Sequence, residues 1–401
     1  MGFVEPLLSF AVSFLLLGIM VYKRVSLGIT LISAATVLSF LSLEVGTIAN
    51  VFSKTTTDHV SISLVLATFG TMLLSQLYKE TGLVKILSQS LSEILRNSKL
   101  VVSILPAIVG LLPVPGGALM SAPMVEAEAN KLGLKKDRQA YVNIWFRHTI
   151  FPLYPVSQVL ILTAALTDLS VTSIILRQIP VVIAMVALGY IIGLRGISTT
   201  KPEASENSLT TNLTRLMKAF MPILTMIFAI AAFSIDISLA VFLGVIVLLL
   251  ITRPGLDVLL RSFRNRLIYE VTLAAFGAML LRNVTEISGV TENLGNLMAM
   301  QNINDIVLLA TIPTALAFFL GSPSGGIAIS VPILAGILSF GPKNASLLYI
   351  VTYFGYLGAP THLCLRFTAD YFKCSLRRVY RYIVPSLAVS FMVAIIVYFS
   401  L

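Results

Sequence analysis

The sequence predicts an all-α polytopic membrane protein made of two inverted repeats, each with five transmembrane helices, a re-entrant helical hairpin and a broken helix. Three observations support this fold class. The composition is that of a chain embedded in lipid, two interrupted apolar stretches hold corresponding places in the two halves, and a short motif recurs between the halves. Such a pair of interruptions also predicts where a solute would bind.

Composition places the chain in a bilayer. Of its 401 residues, 57% are hydrophobic and 11% are charged, whereas charged residues make up about 25% of soluble domains. The first apolar run, 3–22, is long enough to span a bilayer. Near its start it carries Glu5 and no basic residue, unlike a cleaved signal peptide. The net charge of +10 lies in short loops between apolar runs, a pattern that sets membrane topology and does not indicate nucleic acid as a partner.

Apolar runs predict five spans on either side of one polar segment, 195–215. We therefore predict a first repeat over 1–200, a cytoplasmic linker over 201–215 and a second repeat over 216–401. The predicted spans are 3–22, 26–43, 61–78, 140–166 and 173–194, then 216–233, 237–251, 267–284, 346–368 and 382–401. Half-apolar pieces predicted to lie along the membrane surface are 81–96, 257–266, 290–300 and 371–381.

Glycine and proline interrupt two apolar stretches. The first tip, Leu111–Pro123, reads LLPVPGGALMSAP, and the second, Gly321–Pro332, reads GSPSGGIAISVP. The arms are shorter than the roughly 20 residues that cross a bilayer, and prolines and paired glycines destabilise a helix. Inside a membrane, a broken backbone is tolerated only where protein or a water-filled cavity satisfies the freed groups. We therefore predict re-entrant hairpins over residues 100–131 and 305–340.

An internal repeat supports the two halves. Leu66–Leu74 resembles Leu273–Leu281 at an offset of 207, and nine of the 22 positions of Leu66–Leu87 are identical to their counterparts. Chance in so biased a composition would give roughly two or three. Near the end of each half, Pro152 matches Pro360. The alternative is coincidence in a leucine-rich chain, but the glycines and prolines recur in order.

Basic residues predict the orientation. Of the 28 Lys and Arg, 23 fall on one side of the predicted spans, four on the other (Lys54, Arg177, Arg282 and Lys343), and Arg147 lies within a span. The richer side is cytoplasmic. The prediction is a multi-pass protein of the cell membrane with both termini outside and with halves of opposite orientation.

This architecture resembles the ion transporter superfamily, which includes dicarboxylate, citrate, gluconate and arsenite carriers. The resemblance covers nearly the whole chain and is carried by the inverted halves, the broken helices and the tips Pro115-Gly116-Gly117 and Ser322-Pro323-Ser324-Gly325-Gly326; it is greatest to an uncharacterised integral-membrane family of that superfamily. It implies a homodimer with a scaffold domain and a transport domain that moves as an elevator. Neither tip carries the Ser-Asn-Thr of the dicarboxylate branch, so dicarboxylate specificity and sodium coupling do not follow.

Four helix fragments are predicted to start near the middle of the bilayer. Two would start after the glycine pairs, at Ala118 and Ile327, and two after the breaks at Pro152 and Pro360. Helix N-termini offer free N–H groups and partial positive charge, which suit an anion, most simply a carboxylate. Backbone carbonyls at the hairpin tips would suit Na⁺. The alternative is that the breaks only permit tight packing.

Polar residues beside the breaks complete the predicted site. Arg147, a charge within a span, would either pair with an anion or reach toward the cytoplasmic end. At an offset of 208, His148 corresponds to Tyr356 and Tyr154 to His362, which makes these four a polar wall, a proton relay or satisfied interhelical hydrogen bonds. The predicted substrate-binding residues are Pro115, Gly116, Gly117, Ser121, Arg147, His148, Thr149, Tyr154, Ser322, Ser324, Gly325, Gly326, Ser330, Tyr356, Thr361 and His362.

The sequence thus favours a secondary active transporter of a small organic anion, coupled to Na⁺ or H⁺, over an anion channel, an inorganic oxyanion carrier or an intramembrane enzyme. The motifs His-Glu-x-x-His, Gly-x-Ser-x-Gly and a nucleotide-binding P-loop are absent from the sequence, so we expect neither an enzyme nor a cofactor. Cys364 and Cys374 form no metal or redox motif. The expected partners are the anion, the coupling ion, the bilayer and a second copy of the chain.

Overall fold

A computed structural model describes residues 5–95, 97–112, 117–197, 208–300 and 304–400, apart from the side chains of residues 295 and 297–300. Within these ranges the regular structure is helical, with no strand. The predicted all-α class is therefore confirmed.

The helices of the described residues are, in chain order, α1 (Pro6–Tyr22), α2 (Leu27–Ser42), α3 (Val45–Thr57), α4 (His59–Glu80), α5 (Leu83–Leu95), α6 (Ser98–Gly110), α7 (Ala118–Lys131), α8 (Lys136–Thr149), α9 (Gln158–Thr167), α10 (Val171–Leu188), α11 (Leu209–Phe233), α12 (Ile237–Thr252), α13 (Leu256–Phe263), α14 (Arg266–Ile287), α15 (Val290–Met300), α16 (Asp305–Leu320), α17 (Pro323–Leu334), α18 (Pro342–Gly358), α19 (Leu363–Tyr371) and α20 (Leu376–Ser400). A short 3₁₀ turn, Phe151–Leu153, follows α8, and a π-helical segment, Gly189–Gly193, extends α10.

In the described ranges, six helical stretches are long and apolar enough to cross a membrane, and all six coincide with predicted spans. They are His59–Glu80, Lys136–Thr167, Val171–Gly193, Leu209–Phe233, Arg266–Ile287 and Leu376–Ser400. The other four predicted spans correspond to α1, α2 and α12, which have 16 or 17 residues, and to the broken pair α18–α19. The chain is a multi-pass membrane protein.

The order of helices recurs in the two halves of the sequence. Each half contributes ten α-helices to the described residues, with the hairpin at the sixth and seventh places and the break after the eighth. This order agrees with the predicted repeat, whose inverted orientation stays a prediction.

The structure corrects the sequence prediction at two points, an additional helix α3 and the start of α11. The sequence did not predict α3, because its segment VGTIANVFSKTTT has few apolar residues; it is tied down at Thr55, whose hydroxyl accepts a hydrogen bond from Asn283 Nδ2 at 2.9 Å. Helix α11 begins at Leu209, inside the predicted linker 201–215, because Ser208 caps it by accepting from the Thr211 N–H at 3.2 Å. Residues 198–207 lie outside the described ranges.

Residues 371–381, one of the half-apolar pieces, do not form a single helix, whereas the other three pieces correspond to the helices α5, α13 and α15. Their position along the membrane surface stays a prediction. Helix α19 ends at Tyr371 and α20 begins at Leu376, and a turn with Lys373 at φ +52° separates them. A non-glycine residue with left-handed backbone typically ends a helix and does not continue one.

Helix α6 packs against α7 and α16 packs against α17, while the re-entrant course of the two hairpins stays a prediction. Helix α7 begins at Ala118, as predicted, but α17 begins at Pro323 and not at Ile327. Its start is set by Ser322, whose hydroxyl accepts from the Gly325 N–H at 3.1 Å. Proline suits the next position, because its missing N–H has no partner in a first turn. The glycine pair is therefore inside the helix.

The helices after the two breaks also start later than predicted. Helix α9 begins at Gln158 and α19 at Leu363, and neither starts at its proline. Pro152 instead lies in the 3₁₀ turn after α8, and Pro360 lies in the turn that leads to α19.

The helices form two compact units, and each unit draws on both halves of the sequence. Unit 1 comprises the described residues of Met1–Gly70, Gln158–Ile174 and Asn265–Tyr356. Unit 2 comprises those of Thr71–Ser157, Ile175–Arg264 and Leu357–Leu401. The compact units therefore do not coincide with the predicted repeats, because each repeat is one continuous half of the sequence and each unit combines segments of both halves.

Small residues bring two helices of unit 1 into close contact. A Cβ added at Gly28 of α2 would lie 2.8 Å from the Ala274 nitrogen of α14, and one added at Gly277 would lie 2.9 Å from Leu31 Cβ. Membrane helices associate by van der Waals packing, and small residues let their backbones approach. Gly28 and Gly277 thus determine how closely α2 and α14 pack.

We expect Gly28→Ala to destabilise the protein by about 1–3 kcal/mol, because overpacking forces the backbone apart. The measurement is the thermal unfolding midpoint of the purified protein in detergent. Gly18→Ala on the neighbouring helix α1 is the control, since a Cβ there has nothing within 4 Å. Its midpoint should stay level or rise, because alanine favours a helix by about 1 kcal/mol over glycine. Equal midpoints for the two variants would contradict the packing argument.

Candidate functional site

Helix α8 of unit 2 buries an unusual set of polar residues. All eleven residues from Gln139 to Thr149 are buried, although amide and charged side chains are normally exposed. Helices α6, α7, α19 and α20 pack around α8 and account for this burial. The polar groups of α8 must therefore find partners on those neighbours or within α8 itself.

Arg147 is the buried charge of this set, with 2% of its surface exposed. Its Nη2 donates to the carbonyl of Leu112, just beyond α6, at 3.2 Å. The backbones are close here, since a Cβ at Gly110 would lie 2.3 Å from the Arg147 carbonyl oxygen. The Nε and Nη1 groups have no hydrogen-bond partner among the described residues. An ionised group in this state is costly, so the position favours an anion.

Two histidine rings meet beside Arg147. His148 on α8 and His362, which precedes α19, form an edge-to-face pair with ring centroids 4.9 Å apart. The Nδ1 of His148 lies 2.7 Å from the Ile144 carbonyl, and Phe151 stacks on the ring at 6.0 Å. The charge of Arg147 acts on both rings. The structure thus brings His362, from the second half of the sequence, beside the neighbouring residues Arg147 and His148.

Cys364 joins this cluster, although the sequence suggested no role for it. One ligand atom from each of His148, His362 and Cys364 lies within 4.8 Å of the others, and all three residues are buried. Two imidazoles and a thiol suit Zn²⁺, but tetrahedral zinc would bring the ligand atoms to about 3.5 Å. The guanidinium of Arg147 would also repel a dication. On charge, an anion fits beside this cluster better than a divalent metal.

Asn143 attaches the first hairpin to α8. Its Nδ2 donates to the Ala118 carbonyl at 3.0 Å, and its Oδ1 accepts from the Ser121 hydroxyl at 2.7 Å. Asn143 and Ser121 are fully buried. Gly117 precedes α7 and provides no side-chain cap, and its carbonyl accepts from the Met120 N–H at 3.0 Å. Pro115 and Gly116 of the predicted site lie outside the described residues.

The other predicted residues of unit 2 differ in environment. Thr149 donates to the Phe146 carbonyl of its own helix at 2.8 Å, which is the common behaviour of hydroxyls in membrane helices. Tyr154 is 3% exposed. Thr361 is exposed, and so it does not share the burial of the cluster around Arg147.

The remaining predicted residues belong to unit 1, around the second hairpin. Gly326 packs closely, since a Cβ there would lie 2.7 Å from Thr352 Cγ2. The hydroxyl of Ser330 is buried and has no hydrogen-bond partner among the described residues. Tyr356 is half-buried, and its ring lies 6.2 Å from that of Tyr353. The set in unit 1 is Ser322, Ser324, Gly325, Gly326, Ser330 and Tyr356.

Comparison with known proteins places the chain in a family. Residues 7–401 match the family described as "Protein of unknown function (DUF401)". The chain belongs to the DUF401 family. No curated protein matches this DUF401 chain in sequence.

The DUF401 chain is similar to a solved structure described as "Crystal structure of the Alcanivorax borkumensis YdaH transporter reveals an unusual topology". The two share 13% sequence identity over 99% of this chain and 98% of the other, with a TM-score of 0.67. At that identity the similarity shows the fold. The DUF401 chain therefore has the fold of a membrane transporter.

We expect Asn143→Leu to loosen the first hairpin of the DUF401 chain and to destabilise it by about 1–3 kcal/mol, because buried partners lose hydrogen bonds. The measurement is a double-mutant cycle with Ser121→Ala, read from thermal midpoints. The double variant should be less destabilised than the sum of the single variants, since both remove the same bond. Strict additivity would show that the two side chains act independently.

Proposed function

We propose that this chain is a secondary active transporter of a small organic anion, in the simplest case a carboxylate, across the cell membrane. The observation that carries the proposal is the Arg147 guanidinium, buried with Nε and Nη1 unpaired in the described part of the chain. Arginine presents its N–H groups as a planar fork that binds a carboxylate through two parallel hydrogen bonds. A bound anion would offset the cost of burying this charge.

The surroundings of Arg147 suit an anion that is held and then released. The neighbouring rings of His148 and His362 and the hydroxyl of Ser121 are buried polar groups, and the start of α7 adds partial positive charge. Electrostatic attraction is strong where water is excluded. Neutral polar groups around the one fixed charge of Arg147 would help to recognise the anion. A second full positive charge would bind the anion more tightly and slow its release.

The same guanidinium fork would also accept an inorganic oxyanion. An oxyanion carrier is therefore the second candidate function. A channel lacks a comparable observation in its favour, because a buried arginine with two unpaired nitrogens is a binding feature.

Mechanism and coupling complete the proposal. We infer alternating access of the elevator type in a homodimer, from the resemblance to ion transporter superfamily carriers and from the transporter fold of the chain. The coupling ion would be Na⁺, held by hairpin-tip carbonyls, or H⁺, carried by the histidine pair. The inverted repeats and the external termini are also part of this proposal.

We expect Arg147→Met to weaken anion binding while leaving the ligand-free protein equally or more stable. Removing a charge-assisted contact costs about 1.5–3 kcal/mol, which is roughly a 10- to 150-fold loss of affinity. The stability should hold because replacing an unpaired buried charge by an apolar side chain removes a desolvation cost. The measurement is a thermal-shift screen against carboxylates, sugar acids and oxyanions, with and without Na⁺, followed by uptake into proteoliposomes.

Arg366→Met is the matched control, because Arg366 is an exposed arginine of the same unit. It should bind and transport as the natural chain does. A ligand-free Arg147→Met protein that is strongly destabilised would make Arg147 structural. If no anion shifts the thermal midpoint of the natural chain, the carrier proposal is wrong.

A further inference from the structure

A cleft of about 900 Å³ lies in unit 2 where α8 and α20 begin. We name it the basic cleft. Six cationic side chains line it, together with Asp137, Cys374 and Ser375. The six are Lys135, Lys136, Lys373, Arg377, Arg378 and Arg381.

Cations outnumber carboxylates in and beside the basic cleft, although Glu126 interacts with Lys373 as well as with Lys136 and Asp370 lies near Cys374. Lys136 pairs with Glu126 at 2.5 Å, and the Tyr371 hydroxyl donates to the other oxygen of that carboxylate at 2.9 Å. The other five cations make no salt bridge within the described ranges. Asp137 is the single carboxylate of the lining. Burial raises the pKa of Cys374, so its thiol stays neutral and adds no negative charge. The basic cleft therefore attracts anions.

The sharp turn between α19 and α20 brings these cations together. Lys373 adopts φ +52° there, and α20 starts at Leu376. Arg377 and Arg381 are four residues apart and therefore lie on the same face of α20. Because this turn joins the two helices in only four residues, Lys373 lies beside the arginines of the first turns of α20.

The same face of α20 continues as an exposed apolar stripe. Val384 is 57% exposed, Met392 56%, Ile396 61% and Phe399 64%, and their spacing follows that of Arg381 at helical intervals. Helix α20 is long enough to cross a membrane. The cations thus stand at the end of a spanning helix, where its exposed apolar surface begins.

We propose that the basic cleft binds the headgroup of an anionic phospholipid whose acyl chains lie along the exposed face of α20. The phosphate would pair with Arg377, Arg381 and Lys373, since basic pockets beside membrane helices are suited to lipid phosphates. Topology-setting charge alone requires basic residues at a helix end, but it does not require them to line a cleft that continues into an apolar stripe. This site is separate from the anion site proposed at Arg147, and binding there is measured without transport.

The test uses the full chain in detergent and measures bound lipid by native mass spectrometry. Phosphatidylglycerol and phosphatidylcholine with identical acyl chains are offered in equal amounts, and inorganic phosphate is the probe without chains. The natural chain should prefer phosphatidylglycerol. The triple variant R377Q/R378Q/R381Q should lose this preference by about a hundredfold, because each basic residue near an anionic lipid contributes roughly a factor of five.

Two further variants test whether a loss of lipid preference comes from the basic cleft, from the lower total charge or from misfolding. R215Q/K218Q/R264Q also removes three charges, at exposed positions elsewhere in the same unit, and it should keep the preference. R377K/R378K/R381K conserves charge and should retain most of it. Three outcomes would overturn the proposal. They are an equal loss of preference in the R215Q/K218Q/R264Q variant, an unchanged preference in the R377Q/R378Q/R381Q variant, and full displacement of the lipid by millimolar phosphate.

Discussion

The burial of a guanidinium in α8 is the constraint around which unit 2 is organised. Arg147 is 2% exposed, and among the described residues its side chain is bonded to one backbone carbonyl, that of Leu112. A charge in this position is tolerated only if polar groups reach it, since the bilayer offers none. The chain meets this requirement by ending α6 beside Arg147, with Gly110 permitting the close approach.

The other polar side chains of α8 follow the same physical rule. Asn143 is satisfied by the carbonyl at the start of α7, His148 by the carbonyl of Ile144, and Thr149 by that of Phe146. The carbonyls at the end of a helix have no partner within it, and Leu112, just beyond the end of α6, offers such a carbonyl to Arg147. The end of α6 is thus a source of hydrogen-bond partners for α8.

Unit 1 is held together by a different interaction, the close packing of small residues. Gly28 and Gly277 bring α2 against α14, and Gly326 brings α17 against Thr352 of α18. Between apolar helices in lipid the hydrophobic effect gives little net attraction, so such contacts supply much of the stability. The glycine pair of the second hairpin therefore serves packing inside α17, whereas the first pair immediately precedes α7.

Local features of the sequence determined the all-α class, both hairpins, the breaks at Pro152 and Pro360 and most spans, because apolar length and the backbone limits of glycine and proline act within one segment. Tertiary structure alone decided that Cys364 lies against His148, that Arg147 is bonded to Leu112, and that cations of α8 and α20 share one cleft. These residues are distant in sequence, and no local pattern records which side chains packing brings together. Capping explains the boundary errors at α11 and α17, since Ser208 and Ser322 each start a helix through one hydrogen bond that hydropathy does not register.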